Sequence, residues 1–465
     1  MPLSAQVRTY IYDHSRRANY VAAATDYLRG KRQNLDREYD VVLVGAGMHA
    51  AMFLYTARKI TPGLRALVVE KSDAISSVFA RLGDSLILNS PTSSKVGLNS
   101  NIAPGHFVQL SDFDELAERT YPTAKHLHEL ATMLLFHADA DILFGFEVEG
   151  IDATSVGYTL SANGQTIACQ SVLVANGMGG PRQSFASDRW SERVVGGDEF
   201  VASCYDDNEF LDRLRDERIA VVGAGDTANC VMEYLLPLTY PHCQYGSHWN
   251  DSFVPAQLYW FGQNATNVKE FYFANKQRYC YSGGVIEFFW DGESPFDLPA
   301  DAWSRTKSVI RCVPDKLTSL SHREGALTLI AGDECFEVDK VVDCTGRFNS
   351  LSSRLLRSDY EFVEGDVALW GGQWDRELDQ FVVSPRFLKG RRIACKLKGE
   401  RVFLLGSACP LSEVIEDEEA MDGSLRHQES RTSITNSKWS LEHTLPRTVA
   451  FAEQYARRLT DAESA

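Results

Sequence analysis

The chain has 465 residues, 44% hydrophobic and 24% charged, with a formal net charge of -16 at pH 7. That length exceeds one ordinary core and predicts two or three domains, while the charge excludes nucleic acid and anionic membrane as main partners, because both repel it. The 10 cysteines stand singly without a C-x-x-C pair, the 11 histidines form no ligand cluster, and neither a leader nor an apolar run of about 18 residues occurs, predicting a reduced, soluble, cytoplasmic protein without a metal site.

Residues 1–38 are polar, with Tyr10, Ile11, Tyr20, Val21, Ala24, Tyr27 and Leu28 spaced as on helices. They predict a helical extension that packs on the main body or on a second subunit of a homo-oligomer. The run Tyr39 to Val44 then reads as a strand, followed by the turn Gly45-Ala46-Gly47-Met48-His49-Ala50 and an apolar helix that Pro62 and Gly63 end. In such a unit Gly45 permits the tight turn, Gly47 lets backbone approach a pyrophosphate, and Ala50 keeps helix and strand close. The N-terminal N–H groups of the helix then face the anion. His49 is expected on the helix surface beside that ligand. A second strand, Arg65 to Val69, ends in Glu70, and the offset from Gly47 (70 − 47 = 23) suits the acid that holds a ribose hydroxyl.

Leu86-Ile87-Leu88-Asn89-Ser90 reads as a short strand entering a polar loop, His126 to His137 as a helix, and Asp141 to Ile151 as a strand. Ser171 to Val174 is a buried strand running into Ala175-Asn176-Gly177. The second strand-turn-helix unit is Arg218 to Val222, Gly223-Ala224-Gly225-Asp226-Thr227-Ala228, and a helix that Pro237 stops. Its next strand, Gln257 to Phe261, comes late (261 − 225 = 36), so Thr239 to Val254 is expected as an inserted loop. Gly262 and Gln263 stand where an NAD site would offer an acid, which leans toward NADPH with NADH left open. Lys269, Lys276 and Arg278 are candidate phosphate partners or simply solvated cations.

The aromatic stretch from Phe271 to Trp290 reads as a satellite core or a substrate-pocket wall. Lys340 to Arg347 repeats the pattern of a strand entering a glycine turn at Gly346. Arg401 to Ser407 is a further strand, and Leu445 to Leu459 a closing helix. This order predicts an α/β fold of two Rossmann-like dinucleotide-binding domains, with the NAD(P)H domain inserted into a discontinuous FAD domain. The expected divisions are 1–38 for the extension, 39–185 and 339–465 for the FAD domain, and 186–338 for the insert. The acidic run Glu416 to Glu419 lies in a polar stretch, 412–438, expected as a mobile loop.

These motifs, with Glu70-Lys71, Leu88-Asn89-Ser90 and Cys344-Thr345-Gly346, resemble the two-dinucleotide-binding-domain flavoproteins, and within them the class B flavin monooxygenases. The resemblance implies FAD at Gly45, Ala46, Gly47, Met48, His49, Glu70 and Lys71. It implies the nicotinamide dinucleotide at Gly223, Gly225, Asp226 and Thr227. It places Asn176, Gly177 and Gly346 in turns at the domain hinges, Gly406-Ser407 where relatives hold the ribityl chain, and Asn89 beside the flavin ring as the catalytic candidate. Three departures stand out: Ile75-Ser76-Ser77-Val78-Phe79 replaces a GG-x-W, Val201 to Tyr205 lacks the histidine of the family fingerprint, and Gly406-Ser407 replaces the glycine-aspartate of disulfide-reductase relatives.

What the resemblance implies is an NAD(P)H-consuming, FAD-dependent monooxygenase that uses O2 to oxygenate a small molecule, with a preference for an amine or amino acid nitrogen. The alternatives are a flavin reductase serving a protein or quinone acceptor, and a scaffold that keeps FAD without turnover.

Overall fold

The computed structural model describes residues 14–31, 37–86, 88, 122–182, 184–185, 192–223, 225–235, 255–262, 309–314, 317–323, 326–375, 380–410 and 441–464. They form two compact units, the first comprising 1–179, 349–418 and 438–465, and the second 180–348 and 419–437.

The first unit opens with α1 (His14–Gly30), β1 (Tyr39–Val44), α2 (Met48–Ile60), β2 (Ala66–Glu70), α3 (Ser77–Leu82), α4 (Ala124–His137), β3 (Asp141–Phe144), β4 (Gly150–Ala153), β5 (Tyr158–Ala162) and β6 (Gln165–Val174). The second unit follows with β7 (Gly180–Pro181), β8 (Val194–Gly196), α5 (Gly197–Asp206), α6 (Asn208–Arg213), β9 (Arg218–Val222), α7 (Asp226–Leu235), β10 (Gln257–Phe261) and β11 (Ile310–Val313). It continues through β12 (Leu317–Arg323), β13 (Ala326–Ala331), β14 (Glu334–Val338), β15 (Lys340–Asp343) and β16 (Arg347–Phe348). The chain returns to the first unit with α8 (Ser350–Leu355), β17 (Tyr360–Asp375), β18 (Gln380–Leu397), β19 (Val402–Leu404), a 3-10 turn at Gly406–Ala408 and α9 (Leu441–Ser464).

In the first unit the strands run in the order β17-β18-β19-β6-β1-β2-β3, with β4 and β5 attached beside β6. The five strands from β19 to β3 are parallel, and β1 lies between β2 and β6. Such strands are covered on both faces and read as continuous apolar runs, as Val41 to Val44 and Leu67 to Val69 do with near-zero exposure. The expected completion of this sheet from the C-terminal segment is seen as β19 against β6.

The second unit carries a parallel sheet in the order β11-β10-β9-β15-β8 and a three-stranded antiparallel sheet β12-β13-β14. Two expectations shift. The strand Lys340–Asp343, placed by sequence in the returning part of the first domain, pairs with β9 and β8 of the second. The expected strand Asp141 to Ile151 is two strands, because Gly145 turns left-handed (φ 72°) between them.

Helix α1 docks on α4 of the first unit. A buried ion pair joins Arg17 Nε to Glu129 Oε2 at 3.1 Å, Leu28 is fully buried, and Tyr20 meets Phe136 edge to face. Among the described residues no helix is long and apolar enough to cross a membrane.

Candidate functional site

In the first unit, the chain turns at Gly45 with φ 99°, and a β-carbon there would come within 2.8 Å of Asn176 Cα and 3.0 Å of the Ala175 carbonyl. Only glycine fits between β1 and the end of β6. Gly47 differs: its backbone is extended (φ -88°, ψ -174°), and a β-carbon would meet only the Ala175 carbonyl oxygen, at 3.9 Å. Among the described residues nothing else fills the space in front of Gly47, where α2 begins. The first N–H groups of a helix have no intrahelical acceptor, so Met48 and His49 present oriented donors beside that space.

Glu70 is buried at the end of β2, and its carboxylate is held from two sides. Oε2 accepts the Ala46 N–H at 2.8 Å, and Oε1 accepts the Ser72 N–H at 3.0 Å and the Ser72 hydroxyl at 2.8 Å. A carboxylate offers about four lone-pair positions, and these three bonds leave one on Oε2. Lys71, in contrast, is exposed and stands 3.9 Å from the carboxylate of Glu147.

His49 corrects the expectation of a surface residue. Its ring is buried and points to α9, where Nδ1 lies 2.9 Å from the Thr448 hydroxyl and Nε2 lies 3.1 Å from the Thr444 hydroxyl. The Thr448 hydroxyl donates to the Thr444 carbonyl at 3.1 Å, so it receives the Nδ1 proton, and Nε2 accepts from Thr444. Burial keeps this imidazole neutral and pulls its pKa down to about 4. The ring also lies against Gly406, where a β-carbon would overlap it and where φ is 57°. Gly406 and Ser407 begin the 3-10 turn after β19, continuous with the end of β6 through the Leu405 N–H to Val174 O bond at 2.9 Å.

Asn176 also faces an internal partner. Its side-chain amide donates to Asn349 Oδ1 at 3.2 Å and accepts from Asn349 Nδ2 at 2.7 Å, while Asn349 Nδ2 reaches the Gly177 carbonyl at 2.8 Å and Asn349 Oδ1 caps α8. No local sequence signal pointed to Asn349.

Two further histidines act locally. His126 Nδ1 accepts the Thr123 N–H at 3.0 Å in the capping box of α4, and His128 Nδ1 donates to the Ile75 carbonyl at 2.9 Å. Two residues apart on a helix, they point in different directions. Ser76, inside the stretch that replaces GG-x-W, has φ 49° and ψ 46°, a left-handed shape that glycine adopts freely and serine only under strain.

In the second unit Gly223 has φ 126°, and a β-carbon would overlap the Cys344 carbonyl of the neighbouring strand end, whereas a β-carbon on Gly225 would meet none of the described residues within 4 Å. The pattern of one obligatory and one open glycine thus repeats. The Gly223 carbonyl accepts the indole N–H of the buried Trp260 at 2.8 Å, and its N–H donates to Phe261 at 2.8 Å. Thr227 places its methyl where a β-carbon on Gly197 would stand, and Asp226 begins α7. Gly346 has φ 103° and its carbonyl accepts the Arg182 N–H at 2.8 Å. Just before it, Asp343 braces the turn by accepting the Thr345 N–H at 3.0 Å and the Ser184 N–H at 2.9 Å.

Asn89, Gln263, Lys269, Lys276, Arg278, the aromatic stretch Phe271 to Trp290 and the acidic loop 412–438 lie outside the described residues.

No protein-family model matches the chain, and no curated protein matches its sequence. Among solved structures, the bacillithiol disulfide reductase of Bacillus cereus aligns with 91% of this chain and 100% of its own at 13% identity, with a TM-score of 0.50. The chain has an α/β fold of two Rossmann-like units. The Staphylococcus aureus bacillithiol disulfide reductase gives a TM-score of 0.49 at 12% identity, covering 91% of this chain and 99% of its own. The L-lysine 6-monooxygenase of Pseudomonas syringae gives 0.47 at 11% identity, covering 91% and 100%. At 13% identity the likeness to the Bacillus cereus structure is one of fold. Within that fold each glycine turn sits at the carboxyl end of a parallel sheet, where open α/β sheets place their ligands.

Proposed function

We propose that this protein is a flavin-dependent oxidoreductase that binds FAD at the Gly45 turn and NAD(P)H at the Gly223 turn, and that it oxygenates a small molecule with O2. The observation that carries this reading is the repeated pairing of a sterically obligatory glycine, Gly45 or Gly223, with one that the described residues leave open, Gly47 or Gly225. Space held open at the start of a helix suits a pyrophosphate.

The fit to FAD is good at the first turn. The N–H groups at the start of α2 would bind the pyrophosphate, Glu70 would accept a ribose hydroxyl on its remaining Oε2 position, and the turn at Gly406 and Ser407 would offer further backbone contacts. FAD, when bound, supplies the hydride-accepting and oxygen-activating chemistry. The chain's share is to bind and orient. Ala46 is fixed by the Glu70 carboxylate, and the neutral His49 keeps the start of α2 against the 3-10 turn. At the second turn, Trp260 holds Gly223 and leaves Gly225 free to approach a second pyrophosphate. Gly262 follows β10 in place of a carboxylate, which favours NADPH, since a carboxylate would repel the 2'-phosphate.

The preferred substrate class is a small amine or amino acid oxidised at nitrogen, as the sequence resemblance implies. The experiment is to incubate flavin-loaded enzyme with NADPH and 18O2 in the presence of diamines and basic amino acids. One 18O atom in an N-hydroxy product supports the reading. NADPH consumption only in the presence of a quinone or protein acceptor, with no labelled product, replaces it with a reductase.

A further inference from the structure

The loop from Lys71 to Ser76 leaves the ribose acid Glu70 and returns to the first glycine turn, where the Ser76 N–H donates to the Ala46 carbonyl at 3.0 Å. The Ala46 N–H is held in turn by Glu70 Oε2 at 2.8 Å. Both faces of this residue are therefore tied down by the segment that follows β2. Because a trans peptide is planar, with C=O and N–H pointing in opposite directions, fixing the Ala46 carbonyl also fixes the direction of the Gly47 N–H. That N–H belongs to the glycine whose surroundings are open.

The return depends on a strained residue. Ser76 is left-handed, and such a backbone persists only where its surroundings over-determine it. Two bonds do so from outside the loop's own turn: the Ser76 N–H to Ala46, and the His128 imidazole to the adjoining Ile75 carbonyl at 2.9 Å. His128 comes from the middle of α4, a helix anchored by its own capping box and by the buried Arg17–Glu129 pair, so it is a firm point from which to hold a loop.

We propose that His128 is a positioning residue for the first dinucleotide site: by holding the Ile75 carbonyl it keeps Ser76 left-handed, and so keeps Ala46 and the Gly47 N–H aimed at the bound pyrophosphate. This role rests on the reading of that site as the FAD site. It assigns a purpose to a histidine that sequence spacing alone left without one, and it accounts for a serine standing in a conformation better suited to glycine.

The test is a cycle of His128→Ala, Ser76→Gly and the double variant, with FAD affinity measured by titration of the flavin-free full-length protein and Ser76 amide exchange followed in the same preparations. His128→Ala is expected to weaken FAD binding about tenfold, the scale of one lost hydrogen bond with its geometry, and to speed Ser76 exchange. Ser76→Gly alone should change affinity by less than about threefold, and adding it to His128→Ala should restore most of the loss, because glycine needs no help to stay left-handed. Urea unfolding of the same variants reads general destabilisation separately, and a fall in FAD affinity that merely tracks unfolding free energy overturns the role. His128→Gln, which retains a donor, stands in if the alanine variant does not fold, and should bind FAD more tightly than His128→Leu. Wild-type affinity in His128→Ala, or a double variant as weak as His128→Ala, overturns the role. A wild-type protein that takes up no FAD overturns the cofactor reading itself, a result that the mutant comparison cannot mimic.

Discussion

The imidazole of His49 lies against the α-carbon of Gly406, in the space that a β-carbon there would occupy. Two segments more than 350 residues apart are thereby matched to one another, the start of α2 and the turn after β19. Thr444 and Thr448 of α9 complete the contact by satisfying both ring nitrogens.

Gly406→Ala should therefore destabilise the first unit by roughly 2 kcal/mol or more, combining a left-handed backbone with an overpacked contact. Added to His49→Ala, which vacates the space, the same substitution should cost less than in the wild type. Urea unfolding of the two single variants and the double variant measures this coupling, and strict additivity would contradict it.

Stability should fall as the solution is acidified. His49 and His137 have pKa values lowered by burial to about 4, and that of His128 is lowered as well, again chiefly by burial. A group with a depressed folded-state pKa binds fewer protons folded than unfolded between the two values, so stability is complete above about pH 6.5 and is lost as pH falls toward 4. For the fully buried His49 the effect is on the order of 3 kcal/mol, from about 1.4 kcal/mol per pKa unit. Unfolding free energies at pH 7 and pH 5 check the slope, and His49→Asn should flatten it.

The reciprocal amide pair Asn176–Asn349 fastens the end of β6 to the cap of α8. Asn349→Ala removes the cap and leaves Asn176 without these two bonds, with an expected loss of about 1–3 kcal/mol. Asn349→Asp preserves the cap while losing both donations, to Asn176 and to the Gly177 carbonyl, so it should fall between wild type and alanine in thermal unfolding.

Much of this architecture was legible in the sequence because it is local. A strand, a glycine turn and an apolar helix follow one another within some 20 residues around Gly45 and again around Gly223, and each needs only its neighbours to be recognised. The misreadings share the opposite cause. His49 looked like a surface residue because α9, which covers it, lies some 400 positions away, and Lys340–Asp343 looked like part of the first domain because a strand's sheet partners are not written beside it. Asn349 carries no pattern of its own, and Ser76 hid a left-handed turn behind a residue type that usually avoids one.

The second turn makes a separate prediction. Trp260→Phe removes the donor to the Gly223 carbonyl, and Gly225→Val fills the open space beside α7. Both should raise the KM for NADPH, the second by about tenfold or more, while FAD content stays at the wild-type level. Parallel loss of both cofactors would show that the two sites are not independent.

The most direct measurement is the flavin content of wild-type protein and of Gly47→Val, each purified and checked for folding by circular dichroism. Gly47 has an extended backbone and open surroundings, so valine should leave the fold intact while obstructing the pyrophosphate. We expect about one FAD per wild-type chain, bleached by NADPH in the absence of oxygen, and a folded, colourless Gly47→Val. A yellow, fully loaded Gly47→Val would contradict the placement of FAD at this turn.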